Sequence, residues 1–105
     1  MAKCRAMEQQ ELIARLRRYN AALRESGATG LFMFGSRARG TERVDSDLDL
    51  FIDYDANAKV PSLLRIMQIE DDIARALGVP VTITTRNALH PLMKDGIERD
   101  AIRVL

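Results

Sequence analysis

The sequence predicts an α/β (α+β) fold: a small mixed sheet of about three strands with helices packed mainly on one face. Three observations lead there. Apolar residues repeat at helical spacing around Leu12–Leu23 and again over Leu63–Leu77. Three short segments, 29–34, 47–54 and 81–85, are either continuously apolar or alternate with period two, as strands do. Gly or Pro punctuates the joins between them. With 105 residues, 47% of them apolar and 30% charged, the chain is expected to form one domain over residues 1–105.

The elements follow in order. Leu12, Leu16, Tyr19 and Leu23 form the stripe of a helix over about Ala6–Ser26, with Arg15, Arg17, Arg18 and Arg24 among its other positions and Gly27 as a stop. TGLFMF, Thr29–Phe34, is too short for a helix and reads as a buried strand that ends at Gly35-Ser36. Residues 36–46 have room for one helical turn and a loop. Asp47–Tyr54, DLDLFIDY, places Asp47 and Asp49 on one face and Leu48 and Leu50 on the other. After a polar link at Asp55–Lys59, Pro61 suits a helix first turn, and Leu63, Ile66, Ile69 or Glu70, Ile73 and Leu77 form a stripe closed by Gly78. Val81–Thr85 is a third strand with Val81 and Ile83 facing the core. The remainder, with Pro91 in a first turn, reads as one or two short helices carrying Leu89, Leu92, Met93, Ile97, Ile102 and Val104.

Composition narrows the function. No apolar run approaches the roughly 20 residues of a membrane span and no signal peptide is evident, so a cytoplasmic protein without a membrane partner is expected. The single Cys4 and single His90 exclude an internal disulfide and a Cys/His zinc site, leaving oxygen ligands for any metal. A formal charge of +1 gives no reason to expect direct nucleic-acid binding. Its distribution is uneven: residues 1–43 hold nine Lys/Arg against four Glu, and residues 44–105 hold seven against eleven Asp/Glu. Solvated helix faces account for that, and so does a site needing both signs.

Eleven residues between Gly35 and Asp47 favour a local antiparallel return over a parallel crossover. Gly35-Ser36 and Asp47-Leu48-Asp49 then meet at one sheet end. Carboxylates at i and i+2 on a strand project together, roughly 6–7 Å apart at the backbone, and repel unless a cation joins them. Mg²⁺ takes oxygen ligands, uses one or two carboxylates and completes its shell with water and phosphate oxygens. Gly lets backbone approach an anion, Ser36 adds a hydroxyl, and Arg37 and Arg39 extend toward a triphosphate. Together they suit transfer of a phosphoryl or nucleotidyl group from a nucleoside triphosphate. No GxxxxGK[ST] is present, which argues against a P-loop enzyme.

Gly35-Ser36, ten residues, then Asp47-Leu48-Asp49, within FGSRARGTERVDSDLDLFID, resembles the signature of the minimal nucleotidyltransferase (MNT) domain of the polymerase-beta-like superfamily. The resemblance covers essentially the whole chain, including the closing TTRNALHPLMKDGIERDAIRVL. It implies a polymerase-beta-like nucleotidyltransferase fold, with Gly35 and Ser36, supported by Arg37 and Arg39, on the phosphates. Asp47 and Asp49 would be catalytic and hold Mg²⁺ in a two-metal site, with ATP as substrate. It further implies an antitoxin paired with a HEPN-type toxin, transferring AMP to a hydroxyl of that partner; a homo-oligomer is compatible with it. One position departs from the family pattern. A third carboxylate is usual on the next strand, and here Val81-Thr82-Ile83-Thr84 puts Thr82 there. Threonine is neither a general base nor an anionic Mg²⁺ ligand. Asp53 lies about 13 Å further along the strand, and Asp45 is the nearer group for an outer shell. The alternative function is therefore a catalytically weakened or inactive MNT antitoxin that neutralises its partner by binding alone.

Plainer roles stand beside these. Ser36 also fits a helix N-cap, Arg37 and Arg39 fit solvated arginines, and His90 fits a structural loop histidine. Asp71 with Arg75 fits a surface pair at i, i+4.

Overall fold

A computed structural model describes residues 9–40, 47–55 and 63–104. The sheet is built on alternation. In β1 (Ala28–Phe34) and β2 (Leu48–Tyr54), Leu31, Met33, Leu48, Leu50 and Ile52 point to one side and are buried. Phe32, Phe34, Asp49, Phe51 and Asp53 take the other side by strand parity. Helices cover the first side. Leu12 and Leu16 of α1 (Gln9–Leu16), Leu23 of α2 (Asn20–Glu25) and Ile66, Ile69 and Ile73 of α4 (Leu63–Leu77) complete a single aliphatic core with those strand residues.

The expected N-terminal helix is two helices joined by a 3₁₀ turn at Arg17–Tyr19. The tightened turn keeps Leu12, Leu16 and Leu23 all buried. Gly78, with φ +72°, ends α4 as expected. Leu63 departs from the expected stripe and is 74% exposed at the start of α4. The links at 41–46 and 56–62, with Asp45 and Pro61, lie outside the described residues, as does Cys4.

β1 and β2 are antiparallel, pairing Phe34 with Asp49 and Met33 with Leu50. β3 (Val81–Thr85) lies parallel to β2 after the α4 crossover, pairing Leu48 with Val81, Asp49 with Thr82 and Leu50 with Ile83. The sheet is thus mixed, and it has four strands rather than about three, in the order β3-β2-β1-β4. The fourth corrects the expectation of helix to the end of the chain. α5 spans Pro91–Asp100, Ala101 is extended, and β4 (Ile102–Arg103) pairs antiparallel with the outer side of β1. The Val104 N–H donates to Leu31 O at 2.8 Å, and Arg17 Nε donates to Val104 O at 3.1 Å.

α5 has no fully buried residue, and its inner residues lie beside Phe34 and Asp49 on the sheet side opposite the aliphatic core. Arg86, in the 3₁₀ turn Arg86–Ala88 before α5, holds this layer in place. Its Nε and Nη2 reach the two carboxylate oxygens of Asp53 at 2.6 and 2.8 Å, and its Nη1 reaches Glu98 of α5 at 2.5 Å. The guanidinium also lies 5.0 and 4.9 Å from the ring centroids of Phe32 and Phe51, which stack on each other at 4.9 Å. Both carboxylates raise the Arg86 pKa, so the clamp stays charged. No described helix is long and apolar enough to cross a membrane.

Candidate active site

Where β1 ends, Gly35 turns the chain into α3 (Ser36–Arg39) with φ +77° and ψ −155°, backbone that is nearly restricted to glycine. A second constraint acts at the same residue. The register pairs the preceding Phe34 with Asp49, and a Cβ at Gly35 would lie 2.6 Å from Asp49 Oδ2. Only a residue without a side chain lets the turn and the carboxylate meet this closely. The N–H groups of Ala38 and Arg39 both donate to Gly35 O at 3.1 Å, and Gly40, left-handed at φ +76°, closes the short helix. Gln9 Nε2 of α1 donates to the carbonyls of Arg37 and Ala38, each at 3.3 Å, and anchors the turn from behind.

The turn opens into a cleft of about 580 Å³, lined on the sheet side by Phe34, Gly35, Ser36, Arg39 and Asp49, and on the far side by Met93, Gly96, Ile97 and Asp100 of α5. That volume is in the range of small-molecule sites. Met93 and Ile97 are expected on a helix but carry no site role in the sequence. The available signal was their i, i+3, i+4, i+7 spacing with Gly96 and Asp100, which puts all four on one helix face.

Four expected site residues, Gly35, Ser36, Arg39 and Asp49, thus share the cleft. Asp47 immediately precedes β2, is exposed, and acts electrostatically on Asp49. Arg37, the other expected phosphate-binding arginine, is 3% exposed and does not line the cleft. Helix geometry explains the split, because Ser36 and Arg39 are i, i+3 on one face of α3 and Arg37 points elsewhere. The cap of α3 is Gly35, so Ser36 is its first helical residue rather than its N-cap. Thr82 stands in register with Asp49 on the adjacent strand, with its side chain exposed. Asp53 is engaged by Arg86, and His90 caps α5, its Nδ1 accepting from Leu92 N–H at 3.2 Å. Asp71 pairs with Arg75 at 2.7 Å on the surface.

The Asp49 carboxyl is pushed above the ordinary carboxylate range, first by burial and then by the negative charge of Asp47, with Arg39 acting in the opposite direction. A carboxylate pair in that state is short of positive charge, and an oxygen-seeking divalent cation fits it. Among the described residues no three Asp, Glu, His or Cys side chains converge as a metal cluster. The two aspartates would hold such an ion, with water and phosphate oxygens filling its remaining positions.

A glycine turn set against paired aspartates in a mixed sheet is the arrangement of a nucleotidyl-transfer fold, and similarity to known proteins agrees. The nucleotidyltransferase domain family matches residues 13–104, and the chain belongs to it. Within that family its kin are minimal nucleotidyltransferases. A Methanocaldococcus jannaschii protein named as a candidate protein adenylyltransferase is 34% identical over 91 residues, 85% of this chain and 90% of its own length. Protein adenylyltransferase MntA of Thermococcus cleftensis is 30% identical over 95 residues, 90% and 89% of the two chains. A solved candidate minimal nucleotidyltransferase superposes with TM-score 0.73 at 32% identity, covering 91% of this chain and 95% of that one. The MNT antitoxin complex with the tri-AMPylated Shewanella oneidensis HEPN toxin gives TM-score 0.63 at 14% identity, covering 92% and 71%, a likeness of fold.

Proposed function

We propose that this nucleotidyltransferase is a cytoplasmic antitoxin that transfers AMP from ATP, with Mg²⁺, to a hydroxyl of a HEPN-type partner protein. The observation that carries it is the apposition of Gly35 and Asp49 in a cleft that also presents Ser36 and Arg39. The bare Gly35 backbone leaves room for the triphosphate, the Ser36 hydroxyl donates to it, and Arg39 offsets its charge. Asp47 and Asp49 would hold Mg²⁺, which would supply charge neutralisation to the phosphate being transferred. The acceptor hydroxyl attacks the α-phosphorus and gives up its proton to water, the bond to the β-phosphate oxygen breaks, and pyrophosphate leaves. A protein acceptor suits a site whose cleft is already committed to nucleotide, and the named relatives are adenylyltransferases and HEPN-bound antitoxins.

Thr82 favours a second reading, neutralisation by binding with weakened catalysis, because the strand position beside Asp49 carries a hydroxyl in place of an acid. Incubation with the HEPN partner, Mg²⁺ and ATP labelled at either the α- or the γ-phosphate separates the readings. Nucleotidyl transfer puts only the α-label on the partner, and Asp47→Ala/Asp49→Ala abolishes it. A γ-label on the partner would mean phosphoryl transfer instead. No label from either, with the toxin still silenced, would leave binding alone.

A further inference from the structure

Gly96 sits in the interior of α5, away from either end, with no unusual φ to require glycine. Interior glycine weakens a helix relative to alanine, so its backbone position gives no reason for it. Nor does crowding within the protein. Among the described residues a Cβ there would meet only the flexible end of Arg99, at 3.5 Å, an ordinary contact. What glycine does at this position is keep the cleft wall open, since Gly96 faces the same space as Met93, Ile97 and Asp100 on one side and Phe34 on the other.

The cleft is chemically divided. Gly35, Ser36, Arg39 and Asp49 form a polar, phosphate-directed end, whereas Phe34, Met93, Gly96 and Ile97 offer an aromatic ring, two apolar side chains and a bare stretch of helix. Met93 is 60% exposed, an apolar side chain awaiting a cover. A nucleoside triphosphate has the same division, a polyanion at one end and a flat, largely apolar base at the other. Asp100, acceptor-only when ionised, repels phosphate and accepts from a ribose hydroxyl or an exocyclic amino group.

Resting on the nucleotide reading above, we infer that the Met93–Gly96–Ile97 face of α5, opposite Phe34, is the nucleoside subsite of the cleft, and that Gly96 is its specificity-determining residue because a side chain there would occupy the space of the sugar or base. The test uses the full chain and two probes, Mg-ATP and magnesium tripolyphosphate, titrated by calorimetry into wild type, Gly96→Ala and Gly96→Leu, with thermal melts of each unliganded protein. Filling the wall weakens ATP binding by about tenfold or more in Gly96→Leu, with tripolyphosphate unaffected, as expected when a pocket loses the volume its ligand needs. Gly96→Ala melts higher than wild type yet binds ATP less well, opposite signs that a purely structural glycine does not produce. Equal ATP affinity in wild type and Gly96→Leu overturns the subsite while leaving the nucleotide reading intact. So does wild type that binds tripolyphosphate as tightly as ATP. Wild type that binds neither probe overturns the nucleotide reading, and the subsite with it.

Discussion

Gly35 and Asp49 meet so closely that each constrains the other. Gly35→Ala combines a glycine-only backbone with a Cβ 2.6 Å from Asp49 Oδ2. It is expected to cost about 1–3 kcal/mol, visible as a melting temperature lower by about 4–8 °C per kcal/mol, and to displace the carboxylate as well. Asp49 carries its own pH signature. Its folded-state pKa is raised, so its contribution favours folding below the unfolded-chain value and is lost as pH climbs through the folded value. Melts of metal-free protein from acid to neutral pH should show that loss. Asp49→Asn, neutral throughout, should lack that part of the slope and be the more stable protein at neutral pH. A wild-type slope matched by the variant would contradict the cause given for the shift. At this scale the site was largely legible in sequence, because the short link to Asp47 implied an antiparallel return that joins Gly35-Ser36 to the aspartates. Arg37 was not, since adjacent arginines read alike and only the phase of a one-turn helix decides which of them turns inward.

The elements fall into two groups, those written in local pattern and those defined by their partners. α4 and β1–β3 show their stripes and alternation directly, and the structure has them where those patterns end. β4 has two residues, too few for a pattern, and exists through pairing with β1. The placement of α5 was similarly hidden, because it depends on Arg86 bridging Asp53 and Glu98 across the sheet surface. Those groups are about one-third exposed, so Arg86→Ala is expected to cost only about 1 kcal/mol after solvent screening. Its larger effect falls on α5, which has no buried residue to hold it. Hydrogen exchange should show α5 amides opening faster than those of α4 in wild type, and faster still in Arg86→Ala. Protection of α5 equal to that of α4 in the variant would show that the clamp does not hold the helix.

Across the whole molecule, the charge asymmetry of the sequence converges on one place. Arg39 from the basic half and Asp49 from the acidic half line the same cleft, on the sheet side that the aliphatic core leaves open. Thr82 is where this arrangement is least complete. Thr82→Asp adds a carboxylate beside Asp49 and, where catalysis is limited by the missing acid, raises adenylyl transfer by about 10²-fold or more, the usual worth of a positioned acid-base group. An unchanged rate with a fully active wild type would mean the partner supplies that function. If the cleft modifies a partner protein as proposed, the intact mass of a candidate HEPN partner purified after co-expression tests it most directly. An adenylyl adduct present with wild type and absent with Asp47→Asn/Asp49→Asn is the predicted result. An unmodified partner in both, in cells protected equally well by both, would contradict it.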